Sequence, residues 1–148
     1  MKVRPLRKRD IRKASVIVGE DWSKKYQRTS AVEMGAEFVN RVDPPKYVVA
    51  EEKGEVVGLG GYIQSWMDYH VYNIFWIAVK PKWQDKGIGT AIVGKIISDI
   101  KKREGENKAH MVLLTTNKPG FYAKKFGFKI LTSFGDREHK LMGLKFSR

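Results

Sequence analysis

Apolar residues recur along this chain with two different periods, and the stretch from Tyr72 to Ile100 contains both. Tyr72 to Val79 is rich in β-branched and aromatic residues, which is typical of a buried strand. From Ile88 to Ile100 an isoleucine stands at every fourth position, a spacing that places all of them on one side of a helix. The pattern predicts a strand followed by a helix with one buried face, and we expect the rest of the fold to form around them.

The predicted strand and helix are joined by a loop with two closely spaced glycines, Gln84-Asp85-Lys86-Gly87-Ile88-Gly89. Residues without a side chain let a ligand approach the backbone closely. The first N–H groups of a helix lack partners inside the helix and form its positive end, so they attract anions. The loop is therefore predicted to bind phosphate.

Two common phosphate-binding schemes share this glycine spacing, and neither fits. A dinucleotide fingerprint requires a third glycine or alanine where the chain has Ile92. A P-loop beginning at Gly89 requires a serine or threonine at Ile96, and its loop would fall inside the predicted helix. These residues also leave open a plain strand-to-helix turn, in which the glycines only allow the backbone to turn and no phosphate binds.

The apolar periods of the whole chain predict an α/β protein with the element order βααβββαβαββ. Predicted strands cover residues 2–6, 47–52, 55–66, 72–79, 110–116, 129–134 and 139–146. Predicted helices cover residues 11–19, 30–42, 88–100 with a charged end at 101–108, and 121–127. The strand, helix and strand between residues 72 and 116 form a crossover, so we expect those two strands to be parallel.

Capping and turn residues indicate where the elements begin and end. Asp10 is expected to cap the first helix, and Ser30 with Glu33 forms a capping box for the second. Lys53-Gly54 predicts a tight hairpin. The apolar face of the second helix is predicted at Val32, Ala36 and Val39. Glycines that indicate a bulge or a close backbone approach are Gly58, Gly60 and Gly61. Further turn signals are Gly105, Gly127 and Gly135-Asp136-Arg137.

Length and composition restrict the class of protein. At 148 residues the chain is expected to form a single domain, 1–148, with one core. No apolar run is long enough to cross a bilayer, and the basic N-terminus lacks the apolar segment of a secretory signal, so a cytoplasmic location without a membrane anchor is expected. The absence of cysteine excludes a disulfide scaffold and a thiolate zinc site.

The net charge of +13 predicts an anionic ligand, and most of the excess lies in the half that contains the glycine loop. Coenzyme A and nucleic acid both fit this charge, and a lysine-rich solvated surface needs neither. Because the chain has no helix-turn-helix, zinc or RNP signature, nucleic acid is not expected as a partner.

Two motifs carry a resemblance to a known family. The first is Gln-x-x-Gly-x-Gly at Gln84 to Gly89, directly after a strand that ends Ile-Ala-Val, and the second is Phe121-Tyr122 followed after three intervening residues by Phe126-Gly127-Phe128. Together with the element order they resemble the GNAT family of N-acetyltransferases over essentially the whole chain. The resemblance implies a mixed, centrally splayed sheet with flanking helices, and acetyl transfer from acetyl-CoA to a primary amine in a ternary complex without a metal. A module that binds acyl-CoA without turnover is the alternative.

The resemblance also implies roles for particular residues. Tyr122 matches the tyrosine that protonates the departing thiolate. Asn117 resembles an asparagine that contacts the cofactor, although it lies five residues before Tyr122 where seven is usual, and Lys124 could help to hold phosphate. The implied cofactor-binding residues are Ile77, Ala78, Val79, Gln84, Asp85, Lys86, Gly87, Ile88, Gly89, Thr90, Asn117 and Lys124.

The resemblance does not identify the base that deprotonates the amine. Relatives often carry a glutamate on the central strand where this chain has Trp76 and Asn73, neither of which can act as a base. Asp68 and His70 are the nearest titratable alternatives, and a water held by Asn73 is a third.

The acceptor and the assembly also stay open. The resemblance implies acceptor contacts at Trp22, Tyr26 and Met34, with a small molecule or a protein amino group as the acceptor. Because members of the family commonly dimerise, a homodimer is one of the states to test.

Overall fold

A computed structural model describes residues 1–39, 42–135 and 138–146. The strands are β1 (Lys2–Pro5), β2 (Lys46–Glu52), β3 (Glu55–Gln64), β4 (Val71–Val79), β5 (Met111–Thr116), β6 (Lys129–Ser133) and β7 (Lys140–Lys145). The helices are α1 (Ile11–Asp21), α2 (Gln27–Val39), α3 (Ile88–Lys101) and α4 (Pro119–Phe126). Short 3-10 turns add Lys8–Asp10, Lys24–Tyr26, Pro81–Trp83 and Gly105–Asn107. The predicted order of strands and α-helices is confirmed.

The strands form one seven-stranded sheet in the order β1-β2-β3-β4-β5-β7-β6. Neighbouring strands are antiparallel except for β4 and β5, which are parallel and joined by α3. This confirms the predicted crossover and the mixed sheet. It also puts β4 and the start of α3 in the middle of the molecule, where the sheet changes from antiparallel to parallel pairing.

The helices cover both faces of the sheet. On one face the isoleucines of α3 pack against Val48 and Ala50 of β2, and on the other α1 and α2 pack against Tyr47 and Val49 of the same strand. Successive side chains of a strand point to opposite faces, so one strand serves both cores. The predicted stripe is confirmed, because Ile88, Ile92, Ile96 and Ile100 are all buried.

The hairpin and glycine predictions are also confirmed. Lys53 and Gly54 both have positive φ, 49° and 79°, as a tight two-residue turn between β2 and β3 requires. A Cβ atom on Gly60 would lie 2.5 Å from Ile77 and 2.7 Å from Ile92, so only glycine lets α3 and β4 approach this strand. The predicted turn at 135–137 includes positions 136 and 137, which lie outside the described residues.

The predicted start and phase of the second helix are wrong. α2 begins at Gln27, and the hydroxyl of Ser30 donates to the Gln27 carbonyl inside the helix instead of capping it. Its buried residues are Ser30 and Met34, whereas Val32 and Val39 are exposed. The 3-10 turn before Gln27 continues directly into α2, so the capping signal at Ser30 lies about one turn after the true start of the helix. The predicted end near residue 42 cannot be compared, since residues 40 and 41 lie outside the described part.

Asp10 precedes α1 as predicted, but its carboxylate does not cap that helix. The carboxylate accepts hydrogen bonds from the guanidinium of Arg4 at 2.8 and 3.1 Å and from the N–H of Arg7 at 2.8 Å. Arg4 also donates to Glu51 of β2 at 3.1 Å. Because a buried guanidinium needs charged partners, Asp10 joins α1 to the edge of the sheet instead.

The charged helix end predicted at 101–108 is also wrong. α3 stops at Lys101, the chain is extended at Glu104, and Gly105 has a φ of 61° and opens a 3-10 turn. A positive φ cannot continue a right-handed helix. Among the described residues, no helix is long and apolar enough to cross a membrane.

Candidate active site

A cleft opens in the middle of the sheet because β4 and β5 diverge. They are paired only from Val71 to Asn73 of β4, opposite Met111 to Leu113 of β5. Beyond this point β3 follows β4 to Val79, and β7 follows β5 to Thr116. The two halves of the sheet therefore separate, which is the central splay that the family resemblance implies, and the cleft has a volume of about 790 Å³. This is large enough for a sizeable organic ligand.

The glycine loop forms one wall of the cleft. Asp85 and Gly87 have φ values of 60° and 83°, which turn the chain from the end of β4 into α3. Buried Ile88 anchors the first turn of α3 in the core. The N–H groups of that turn have no acceptor inside the helix and lie at its positive end. Lys118 and Lys125 line the same cleft and add positive charge. This arrangement suits a pyrophosphate.

The free edge of β4 is hydrogen-bonded by side chains from other elements. Asp21, the last residue of α1, accepts from the N–H of Val79 at 2.9 Å and from the amide of Gln84 at 3.0 Å. The same amide donates to the Val79 carbonyl at 3.0 Å, and the indole of Trp22 donates to the Ile77 carbonyl at 3.0 Å. These bonds tie α1, β4 and the glycine loop together at the point where the sheet opens.

Tyr122 lies on α4 at the opposite side of the cleft and is 8% exposed. Its ring packs edge-on against Phe121 and Phe128. Burial raises the pKa of the phenol, and the negative charge of Asp21 raises it further. The hydroxyl therefore stays protonated at neutral pH and can donate a proton.

Most of the residues singled out in the sequence for cofactor binding come together in this cleft. Those that line it are Ile77, Val79, Gln84, Asp85, Gly87, Ile88, Gly89, Thr90 and Asn117, with Tyr122 as the candidate acid. Ala78 does not line the cleft, because its side chain is buried in the core beneath α1 and α2. Lys86 and Lys124 are exposed and lie outside the lining, where Lys125 stands instead of Lys124.

The three candidates for accepting the amine proton lie outside the lining of the cleft. Asp68 is exposed and accepts the N–H of His70, as in a turn. His70 contacts the Lys108 carbonyl through Nδ1 at 2.6 Å and stacks on His110 with ring centroids 4.3 Å apart. Asn73 lies on β4 at the last paired position, and its side-chain oxygen is buried without a partner.

Three residues of the acceptor side were named from the resemblance, and the structure separates them. Trp22 and Tyr26 line the cleft, whereas Met34 is completely buried in the core and does not line the cleft. Met34 is therefore wrong as an acceptor contact, since it fills the gap between α2 and the sheet.

Sequence reasoning missed Asp21 as a site residue and dismissed Trp76 because it cannot act as a base. Asp21 carries no sequence signal, since it is one acidic residue at a helix end. Trp76 lines the cleft with a φ of 50°. Within the described residues there is no group of three or more side chains suited to hold a metal ion.

Comparisons with known proteins agree with this architecture. The sequence model of the acetyltransferase (GNAT) family matches residues 11–128. An acetyltransferase of Pectobacterium atrosepticum is 31% identical over 96 residues, which is 62% of this chain and 64% of that protein's length. This chain thus corresponds to less than two thirds of that relative.

Solved structures share the fold at low identity. A GNAT-family protein from Desulfovibrio desulfuricans has a TM-score of 0.83 and 16% identity, over 97% of this chain and 98% of the other. The PaiA N-acetyltransferase from Thermoplasma acidophilum, solved in complex with coenzyme A, has a TM-score of 0.77 and 17% identity, over 98% of both chains. Because the family model matches well over half of the sequence, the chain belongs to the acetyltransferase (GNAT) family.

Proposed function

We propose that this protein transfers the acetyl group of acetyl-CoA to a primary amine by direct attack within a ternary complex. One observation carries the proposal: the splayed edge of β4, the glycine loop at the start of α3 and Tyr122 with its hydroxyl all line a single cleft. A strand edge, an anion site and a proton donor are the three elements that an acyl-CoA transferase needs.

Acetyl-CoA would lie along the edge of β4 with its pyrophosphate on the glycine loop. The Ile77 carbonyl keeps a second lone pair beside the indole of Trp22, and the Val79 N–H becomes available when the arm displaces Asp21. Such donors and acceptors satisfy an amide-bearing arm. The N–H groups between Gln84 and Thr90 would hold the phosphates, helped by Lys125 and Lys118. Acetyl-CoA supplies an activated thioester, and Asn117 and Phe121 line the same cleft as Tyr122.

The chemistry requires a neutral amine, because an ammonium has no lone pair with which to attack the thioester carbonyl. In the reaction the new C–N bond forms, the C–S bond breaks, and one proton leaves the nitrogen while one reaches the sulfur. We assign the second proton to Tyr122, whose raised pKa keeps it in the donating form.

We assign the first proton to Asp21, acting through water. Each oxygen of its carboxylate accepts one hydrogen bond from the protein, which leaves further lone pairs for a water molecule. Asp21 lines the same cleft as Tyr122 and its charge raises the pKa of the phenol, whereas Asp68, His70 and Asn73 do not line it. The pH–rate profiles of Asp21→Asn, Asp68→Asn and His70→Gln test this assignment, which fails if Asp21→Asn reproduces the parent profile.

Release of free thiol from acetyl-CoA, measured with and without a panel of primary amines, tests the proposed function. Amine-dependent release, with the acetylated amine identified by mass spectrometry, would support it. Saturable binding of acetyl-CoA without amine-dependent release would favour the acyl-CoA-binding module instead.

A further inference from the structure

One end of the cleft is a wall of three aromatic rings, Trp22, Tyr26 and Trp76, which we call the aromatic wall. Trp76 stands in the middle, with its ring centroid 5.7 Å from Trp22 and 5.6 Å from Tyr26. The rings come from three elements: the end of α1, the 3-10 turn after it, and β4. All three line the cleft, on the side where α1 and α2 cover the sheet.

The backbone of Trp76 adopts a conformation that a tryptophan rarely occupies. Two residues of β4, Trp76 and Ile77, stand opposite one residue of β3, so the strand bulges, and Trp76 has a φ of 50°. Glycine would occupy this position without strain. Strain of this kind persists where surrounding contacts hold it and is concentrated at functional sites. Here the contact is a hydrogen bond from the indole N–H to Glu33 at 3.0 Å.

The polar atoms of both tryptophans are committed to the protein. The Trp22 indole donates to the Ile77 carbonyl, and the Trp76 indole donates to Glu33. The two indoles therefore offer ring surfaces to a ligand and no free donors. A polyhydroxylated amine seated on these ring faces would find no indole donor for its hydroxyl oxygens, which lowers its affinity.

The charges beside the wall favour one ammonium group. Asp21 lines the cleft next to Trp22, and Glu33 holds Trp76, so two carboxylates flank the rings. Tyr26 already carries the ammonium of Lys25 5.0 Å from its ring centroid, and the chain has a net charge of +13. Several further positive charges on one ligand would therefore be repelled, whereas a single ammonium group is attracted by the carboxylates.

We propose that the aromatic wall recognises the acceptor and selects a primary monoamine with a flat apolar body, the arylalkylamine class, over polyhydroxylated amines and polyamines. The inference rests on the proposed acetyl transfer and names the substrate class of that site. The wall binds the apolar body of the acceptor, while the amino group points along the cleft toward Tyr122.

Steady-state kinetics with 2-phenylethylamine, glucosamine and spermidine at saturating acetyl-CoA test the inference. We expect kcat/KM for 2-phenylethylamine to exceed the other two by about tenfold or more, since contact between its ring and the aromatic wall supports a discrimination of that size. Each product is confirmed by mass spectrometry, so that thioester hydrolysis is not counted as transfer.

Trp76→Gly removes the backbone strain, but it also removes a ring that packs against the core beneath α1 and α2, so the melting temperature should fall and is measured together with the kinetics. We expect its KM for 2-phenylethylamine to rise about tenfold with a smaller change in kcat, and the preference over glucosamine to fall toward one. Trp22→Leu removes a ring that is 46% exposed, and it should lower the preference in the same direction. Trp66→Ala is the matched control, because Trp66 is 78% exposed and lies outside the lining of the cleft.

The inference is overturned if glucosamine or spermidine is the preferred acceptor, or if Trp76→Gly and Trp22→Leu both keep the parent preference. In those outcomes acetyl transfer itself still stands. If acetyl-CoA binds and none of a broad amine panel is acetylated, the proposed function fails, and the inference fails with it.

Discussion

The carboxylate of Asp21 accepts a hydrogen bond from the backbone N–H of Val79 at 2.9 Å, and this bond joins the end of α1 to the open edge of β4. The same carboxylate accepts from the amide of Gln84, the first residue of the glycine loop. Any ligand that pairs with this edge must therefore take the Val79 N–H from Asp21. The strength of that bond becomes part of the binding free energy of the ligand.

We expect Asp21→Asn to bind the pantetheine arm more tightly. Hydrogen bonds to charged groups contribute about 1.5–3 kcal/mol and neutral ones about 0.5–1.5 kcal/mol, so loss of the charge weakens the competing bond by about 1 kcal/mol, or about fivefold. Adenosine 3′,5′-bisphosphate lacks the pantetheine arm. Dividing the affinity of coenzyme A by the affinity of this bisphosphate therefore removes any effect of the substitution on nucleotide binding. Calorimetry should show the affinity ratio of coenzyme A to the bisphosphate rising about fivefold. Asp68→Asn, outside the cleft, serves as the control, and an unchanged or lower ratio in Asp21→Asn would contradict the competition.

Helix α3 offers a pair of matched substitutions, Gly89 in the glycine loop and Gly94 farther along the helix. A Cβ atom on Gly89 would meet only Phe121 and Val79 at 3.7 and 3.9 Å, which are ordinary contacts, and one on Gly94 would meet nothing within 4 Å. Both alanine variants should therefore keep or raise the stability of α3. At Gly89 the added methyl group occupies space at the anion site, so coenzyme A should bind about tenfold or more weakly, the size of one lost charge-assisted hydrogen bond. Equal affinities of Gly89→Ala and Gly94→Ala in calorimetry would place the phosphates elsewhere.

Tyr122→Phe tests the proposed proton donor. A thiolate is already a fair leaving group, so we expect kcat to fall by only about 10²-fold, with little change in KM for acetyl-CoA because the ring still packs. A general acid is lost when the pH rises above its pKa, and burial and then Asp21 raise the pKa of Tyr122 above its usual value of about 10. The kcat of the parent should therefore show no alkaline loss from this group below about pH 10. A kcat unaffected by Tyr122→Phe, with chemistry rate-limiting, would make the tyrosine structural.

The buried pair of Arg4 and Asp10 should make a large contribution to stability. Both side chains are 7% exposed and 2.8 Å apart, so Asp10→Ala leaves a buried guanidinium with Glu51 as its remaining carboxylate partner. We expect a loss of about 3 kcal/mol in the free energy of unfolding, measured by urea denaturation. Asp99→Ala, which breaks the more exposed pair with Lys95, should cost at most about 0.5 kcal/mol.

The pH dependence of this pair has a definite sign. Burial raises the pKa of Asp10, but the hydrogen bonds from Arg4 and from the N–H of Arg7 outweigh it and leave the pKa below its usual value. A lowered folded-state pKa gives stability that is complete above the unfolded value of about 3.9 and disappears as the pH falls through the folded value. The stability difference between the parent and Asp10→Ala should therefore shrink in acid, and a difference that grows there would contradict the assignment.

The sequence predicts the parts of the site that are local in the chain. The strand ending at Val79, the glycine loop and α3 follow one another directly, so residue types and spacing determine them. Tyr122 is identified through the resemblance of its motif to the family, and that motif is also local in the chain, a short helix with a glycine stop. The contact between Asp21 and Val79 is absent from such patterns, since it depends on how α1 packs on the sheet.

Two further differences between the predicted and the observed structure also arise from contacts between distant parts of the chain. α2 has few apolar residues on a consistent face, so the capping signal at Ser30 alone predicts its start, whereas packing of Met34 against the sheet sets its true phase. The positive φ of Trp76 cannot be read from a tryptophan in a strand, because only the two-against-one pairing with β3 produces it.

The most direct test of the account is mass spectrometry of one reaction mixture that contains the protein, acetyl-CoA and a primary amine. Direct attack in a ternary complex predicts that the amine gains one acetyl group, that free thiol appears in equal amount, and that the intact protein keeps its mass when acetyl-CoA is supplied alone. A protein that binds acetyl-CoA and acetylates no amine would contradict the proposed transfer, and an acetylated protein that passes its acetyl group to the amine would contradict the direct attack.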